Sequence, residues 1–334
     1  MDIELTRRRL LAGVVGGGAL LGGGRATYNV ALGYDRVTGT NLKRQDLDPL
    51  VAERLGASGA EVATTGDYTI RRSERTLSAT NSGSTVASVD VEEGPTAAGA
   101  IDDELGLEDR PFEQLAADLS TLEEGDVRFV YDSYPAFFDL ITDDDHEPRP
   151  YTVNALRGYK TAAPAIIETF TGADPADPMA VAEGLVDGFR EHTHYDVSRY
   201  LAGSVEDNVI FGRRDLRQHF ESETDFEAML EDEDGGLFCY ELTRRSVEAL
   251  QAVPAPDQTA PVVAGFVNNR RHKHVYTIVA SAVRNGEGEL VIPVTFLDYT
   301  HSTLYDDLRL RRITGEGLDA YDTRHRATGI AWYH

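Results

Sequence analysis

Lysine is nearly missing from this chain. Of its 32 basic residues only Lys43, Lys160 and Lys273 are lysine, and the rest are arginine. Cysteine occurs once, at Cys239, which excludes an internal disulfide. The apolar run Leu10–Gly24 stops at 15 residues and is rich in glycine. A stable membrane-spanning helix needs about 20 apolar residues. Positive charge is scarce as well: 57 acids against 32 bases leave a net charge of −25. Phosphate binding needs clustered cations, so nucleic acid is excluded as a partner.

A hydrophobic content of 41% over 334 residues is enough for a substantial buried core. At a net charge of −25, self-repulsion destabilises the compact state in dilute buffer. At about 1 M salt the Debye length falls to about 3 Å and distant charges no longer interact. An acidic, arginine-rich and lysine-poor chain of this kind resembles proteins of halophilic archaea.

The N-terminus carries a second signal. Thr6-Arg7-Arg8-Arg9-Leu10-Leu11 resembles the twin-arginine export signal, in which Ser/Thr-Arg-Arg-x precedes two apolar residues. Residues 1–24 are therefore expected to be a twin-arginine-type signal or anchor. No small-x-small cleavage site stands before Arg25, and no nearby cysteine could carry a lipid. The protein is expected outside the cell, released or held by an uncleaved signal. Contact with a membrane is expected only through that segment.

Residues 25–150 have no evident role, and the Ser/Thr/Gly-rich stretch near 57–100 reads as a linker. Within this region, 111–125 reads as an amphipathic helix, 126–134 as a strand, 135–141 as a helical turn, and Asp143 to Asp145 as a solvated run. From 151 onward the pattern is regular. Helical spacing runs over 153–170, 178–192 and 225–236, with Glu231 to Asp234 on the surface. A further helix starts at Cys239, with Leu242, Val247, Leu250 and Val253 on one face, and ends at Pro254. Strands are predicted at 261–267, 274–283 and 289–300, with Asn285-Gly286-Glu287-Gly288 as a hairpin turn and a final strand near Trp332. Helices followed by strands predict an α+β fold, with helices packed on an antiparallel sheet.

The chemistry centres on Cys239. Unpaired N–H groups and the macrodipole at a helix start favour a thiolate, and a backbone N–H there can serve an oxyanion. A thiolate nucleophile needs a base, and the base needs an orienting group. His272 and His274 both lie at the start of one predicted strand, on one face, and Asp298 ends another.

The ordered set GGLFCYEL, HKHVYTIV and VTFLDYT resembles the transglutaminase-like superfamily, relatives of the papain-type fold. Its pattern is Gly-x-Cys at a helix start, a strand opening with His, then an Asp-Pro-Thr-like segment. The likeness covers roughly 180–305, including GFREHTHYD at 188–196 as the helix end before the nucleophile. It departs in having two residues between Gly236 and Cys239, Val275-Tyr276 where small-then-Trp is usual, and Tyr299 for proline. The resemblance implies a transglutaminase-like (papain-like) core over 151–334. It also implies Cys239 as nucleophile, His274 as base, Asp298 as orienting group, a protein or peptide substrate, and no cofactor. If the proteins exported alongside it share this chain's shortage of lysine, acceptor amines are scarce and hydrolysis is expected over cross-linking. Two rivals stand beside this. One is an inactive binding module of the same fold at the cell surface. The other is a metal site on the His192/His194 and His272/His274 pairs, with His301 nearby, although no third ligand stands at motif spacing. Trp332 reads as core or rim.

Overall fold

The computed structural model describes residues 45–53, 55, 61–158, 162–195, 225–231, 235–269, 274–300 and 327–332. The expected export signal at 1–24, His272, His301 and Asp232 to Asp234 lie outside the described residues. Among the described residues no helix is long and apolar enough to cross a membrane.

The chain is α+β. After a short helix α1 (Asp48–Ala52) come four strands, β1 (Glu61–Thr65), β2 (Tyr68–Ser73), β3 (Thr76–Asn81) and β4 (Ser84–Asp90). They pair antiparallel in sequence order. Where composition reads as a linker, the chain therefore builds a sheet. Turns of two residues join the strands, with left-handed backbone at Gly66, Glu74, Ser82 and Gly83. One face is apolar: Val62, Ile70, Leu77, Ala79 and Val89 pack on α2 (Gly94–Leu105) and α3 (Pro111–Glu124). Proline at the start of α3 and left-handed Gly125 at its end match the usual helix boundaries.

The main sheet has seven strands. Its order is β13 (Gly329–Trp332), β9 (Val263–Asn269), β10 (His274–Ala280), β12 (Leu290–Leu297), β11 (Val283–Arg284) and β6 (Glu147–Pro148); β5 (Arg128–Tyr131) also pairs with β12. All pairs are antiparallel except β5 with β12. The strand predicted at 274–283 divides into β10 and β11, and the Asn285–Gly288 turn joins β11 to β12. Every residue of β12 is buried, as its unbroken apolar run requires of a strand covered on both faces.

One face of this sheet carries α4 (Tyr134–Ile141), α6 (Pro164–Thr171), α7 (Pro178–His192), α8 (Phe226–Glu231) and α9 (Cys239–Leu250) around a single core. The other face packs on α1 and on α5 (Pro150–Leu156), and takes in Trp332, whose Nε1 donates to the Val51 carbonyl at 3.0 Å. The helical spacing over 153–170 is broken into α5 and α6, with Pro164 opening the second. α9 ends at Leu250, short of Val253. Gly235 and Gly236 form a short strand rather than a helix stop.

β5, α4 and β6 belong to the main sheet and its core, and α5 puts Val153 and Leu156 in one core and Tyr151 and Ala155 in another. A buried ionic cluster ties the parts together. Asp118 of α3 accepts from Arg149 Nε at 2.8 Å, Arg284 Nε at 2.9 Å and Thr152 Oγ1 at 2.6 Å.

Candidate active site

The approach to Cys239 is held on two sides. β8 (Gly235–Leu237) pairs in parallel with β7 (Thr193–Tyr195), the continuation of α7. Phe238 is extended at φ −109° and ψ 170°, and its N–H donates to Glu241 Oε2 at 3.0 Å. That is one half of a capping box: the side chain three residues into the helix binds back to the cap. The helix therefore starts at Cys239, whose side chain is half-buried. Sequence reasoning misses Glu241, although the spacing Phe-Cys-Tyr-Glu carries its signal.

His274 is the first residue of β10 and is 2% exposed. Asp298 directly follows β12 and is fully buried. The two strands pair antiparallel with Thr277 opposite Leu297, so their ends meet. His274 Nε2 and Asp298 Oδ2 lie 2.7 Å apart. The other carboxylate oxygen, Oδ1, accepts from the Thr300 N–H at 3.0 Å, which fixes the carboxylate plane. The imidazole also hydrogen-bonds the Cys239 side chain. With Nε2 engaged by Asp298, Nδ1 is the nitrogen left to serve the sulfur. A charged ring donates to Asp298 through Nε2; once it has given up its other proton it keeps the Nε2 proton directed at Asp298 and offers Nδ1 as a base.

The structure thus brings Cys239, His274 and Asp298 together from a helix start, a strand start and a strand end. Burial alone would drive the proton off His274. The Asp298 carboxylate and the Cys239 sulfur outweigh burial and push the imidazole up to about 10. Tyr276, two residues along the same strand face, stacks on the imidazole with centroids 5.8 Å apart. Burial, and then Asp298, raise its phenol well above the usual range, so it stays protonated. In the sequence Tyr276 stands out only as a departure from Trp; its stacking follows from strand alternation.

No family model matches the chain, and no curated protein or solved structure matches it either. The remaining sequence candidates fall elsewhere. His192 closes α7 with its ring 5.4 Å from Phe170. His194 lies in β7. Among the described residues no group of three His, Cys, Asp or Glu side chains could hold a metal ion. Trp332 is core. Asp143 to Asp145 are exposed.

A half-buried thiol, a buried imidazole and a buried carboxylate in series form a proton-transfer chain with one open end. Such a chain can attack a carbonyl and then protonate a leaving amine.

Proposed function

We propose that this protein is an exported cysteine enzyme of transglutaminase-like type that cleaves amide bonds of proteins or peptides. The observation that carries the proposal is His274 in contact with both Cys239 and Asp298. The sulfur attacks the substrate carbonyl carbon, and the carbonyl oxygen takes up negative charge beside the Cys239 N–H at the start of α9. The imidazolium then donates its proton to the departing amine, leaving a thioester. Water, deprotonated by the neutral imidazole, adds to the thioester and releases the acid and the free thiol. Asp298 holds the ring and stabilises its charged form throughout. Export is supported by the twin-arginine-like residues Arg7 and Arg8, and hydrolysis is favoured over cross-linking if proteins exported alongside it share this chain's shortage of lysine.

The test is thiol chemistry followed by product analysis. Iodoacetamide at pH 6–7 should alkylate Cys239 rapidly, and His274→Ala should slow it. With a glutamine-containing peptide, ammonia should appear without incorporation of an added primary amine. Efficient amine incorporation would replace hydrolysis by transamidation. A native thiol as slow as the His274→Ala variant would favour a binding module on the same fold.

A further inference from the structure

The sulfur and the imidazole meet at an awkward place. Along β10, Val275 and Val279 pack into the core under α9, while Tyr276 and Ile278 pack into the core on the opposite face. His274 shares the Tyr276 face by alternation, and the two rings stack. The imidazole therefore does not lie beneath the helix. It meets Cys239 where the strand begins, so the contact depends on how far along β10 the helix sits. Apolar packing of Leu242 and Val247 against the sheet is non-directional and sets that position only loosely.

A buried chain of hydroxyls supplies a directional constraint. Thr277 Oγ1 of β10 contacts Ser246 Oγ of α9. Ser246 Oγ donates to the Thr243 carbonyl at 2.8 Å, and Thr243 Oγ1 donates to the Cys239 carbonyl at 2.7 Å. All three side chains are at most 3% exposed. A hydroxyl has one proton. That of Ser246 is committed to the Thr243 carbonyl, so Thr277 must donate to Ser246. The donors run one way, from the strand to the nucleophile's own backbone.

The spacing makes this chain a gauge. Cys239 to Ser246 is seven residues of helix, about 10.5 Å at 1.5 Å per residue. His274 to Thr277 is three residues of strand, about 10 Å at 3.3 Å per residue. With helix and strand running the same way, locking Ser246 to Thr277 brings Cys239 level with His274. A slip of one helical residue would part the hydroxyls and the sulfur–imidazole pair together.

We propose that Thr277, Ser246 and Thr243 are positioning residues that set the Cys239 sulfur against His274. This rests on reading Cys239 and His274 as a reactive pair, and the experiment separates the two claims. The rate of Cys239 alkylation by iodoacetamide is measured against pH for the full chain and for Thr277→Val, Thr277→Ser, Ser246→Ala, His274→Ala and Leu115→Ala, each checked for cooperative unfolding. Leu115 lies in the core beneath the N-terminal sheet, so its variant is a destabilised control with the hydroxyl chain intact. Thr277→Val and Ser246→Ala should shift the acid limb upward by about one pH unit, an about tenfold fall in rate at pH 6. Thr277→Ser and Leu115→Ala should keep the parent profile. If Thr277→Val does not fold, Ser246→Ala carries the same expectation. A folded Thr277→Val or Ser246→Ala with the parent profile overturns the positioning role, as does a Leu115→Ala shift of equal size. A parent profile that His274→Ala leaves unchanged overturns the reactive pair itself, and the positioning role with it.

Discussion

Replacing Asp298 by asparagine tests the order of the proton chain most directly. The side chain keeps its size but must divide its oxygen and nitrogen between two partners. The Thr300 N–H, 3.0 Å away, needs an acceptor, so the amide oxygen belongs there. The amide nitrogen, a donor, then faces His274 Nε2, previously 2.7 Å from a carboxylate oxygen. Two donors cannot share that contact, so the charged ring is disfavoured, and a neutral ring carries its proton on Nδ1 and loses its base toward sulfur. The charge-assisted bond also goes, worth about 1.5–3 kcal/mol. That alone is about 10- to 100-fold in kcat/KM, and a wrong tautomer can raise the loss to about 10⁴-fold. The variant should therefore alkylate at pH 6–7 at least about 10-fold more slowly than the parent. Stability supplies a second reading. The folded pKa of His274 lies above the ordinary 6.5, at about 10. Its contribution to stability is thus fully present below pH 6.5 and is lost as pH rises toward 10. The denaturation midpoint of Asp298→Asn should accordingly trail the parent most below pH 6.5 and converge with it toward pH 10. An Asp298→Asn protein with the parent's alkylation rate and a pH-independent stability gap would refute this account of the site.

Three further outcomes follow from other parts of the fold. Asp118→Asn leaves Arg149 and Arg284 without their shared buried counter-charge and should cost about 3–5 kcal/mol in urea unfolding; a change under about 1 kcal/mol would show the cluster to be loosely held. Gly188→Ala would put a methyl carbon 2.5 Å from the Phe170 carbonyl oxygen, where α7 crosses α6, and should lower stability by about 1–3 kcal/mol, read as a fall in Tm. Raising NaCl from about 0.1 M to about 1 M shortens the Debye length from about 10 Å to about 3 Å and should raise the unfolding midpoint of a chain with net charge −25; a flat or falling midpoint would count against salt adaptation.

The elements that sequence alone located are those whose signal is local. α3 and α7 begin at proline and repeat apolar residues at helical spacing, and both were readable to within a residue. β12 announced itself by a continuous apolar run. The four-stranded sheet at 61–90 reads as a linker because its apolar face takes only one or two buried residues from each strand, Ile70, Leu77 and Ala79 among them, within a Ser/Thr-rich background. Its turns use left-handed Glu74 and Ser82, which carry no glycine signal of their own.

For the site, residue types and their order pointed to Cys239, to His272 or His274, and to Asp298, and only the transglutaminase-like resemblance singled out His274. Their convergence was not local information. It depends on β10 and β12 pairing with Thr277 opposite Leu297, and on α9 lying along β10. Register is a property of two segments at once: a slip of one residue turns every side chain to the other face. Residue types and spacing can therefore propose partners, while the sheet decides which imidazole reaches the carboxylate, and helix packing decides whether a sulfur waits on its other side.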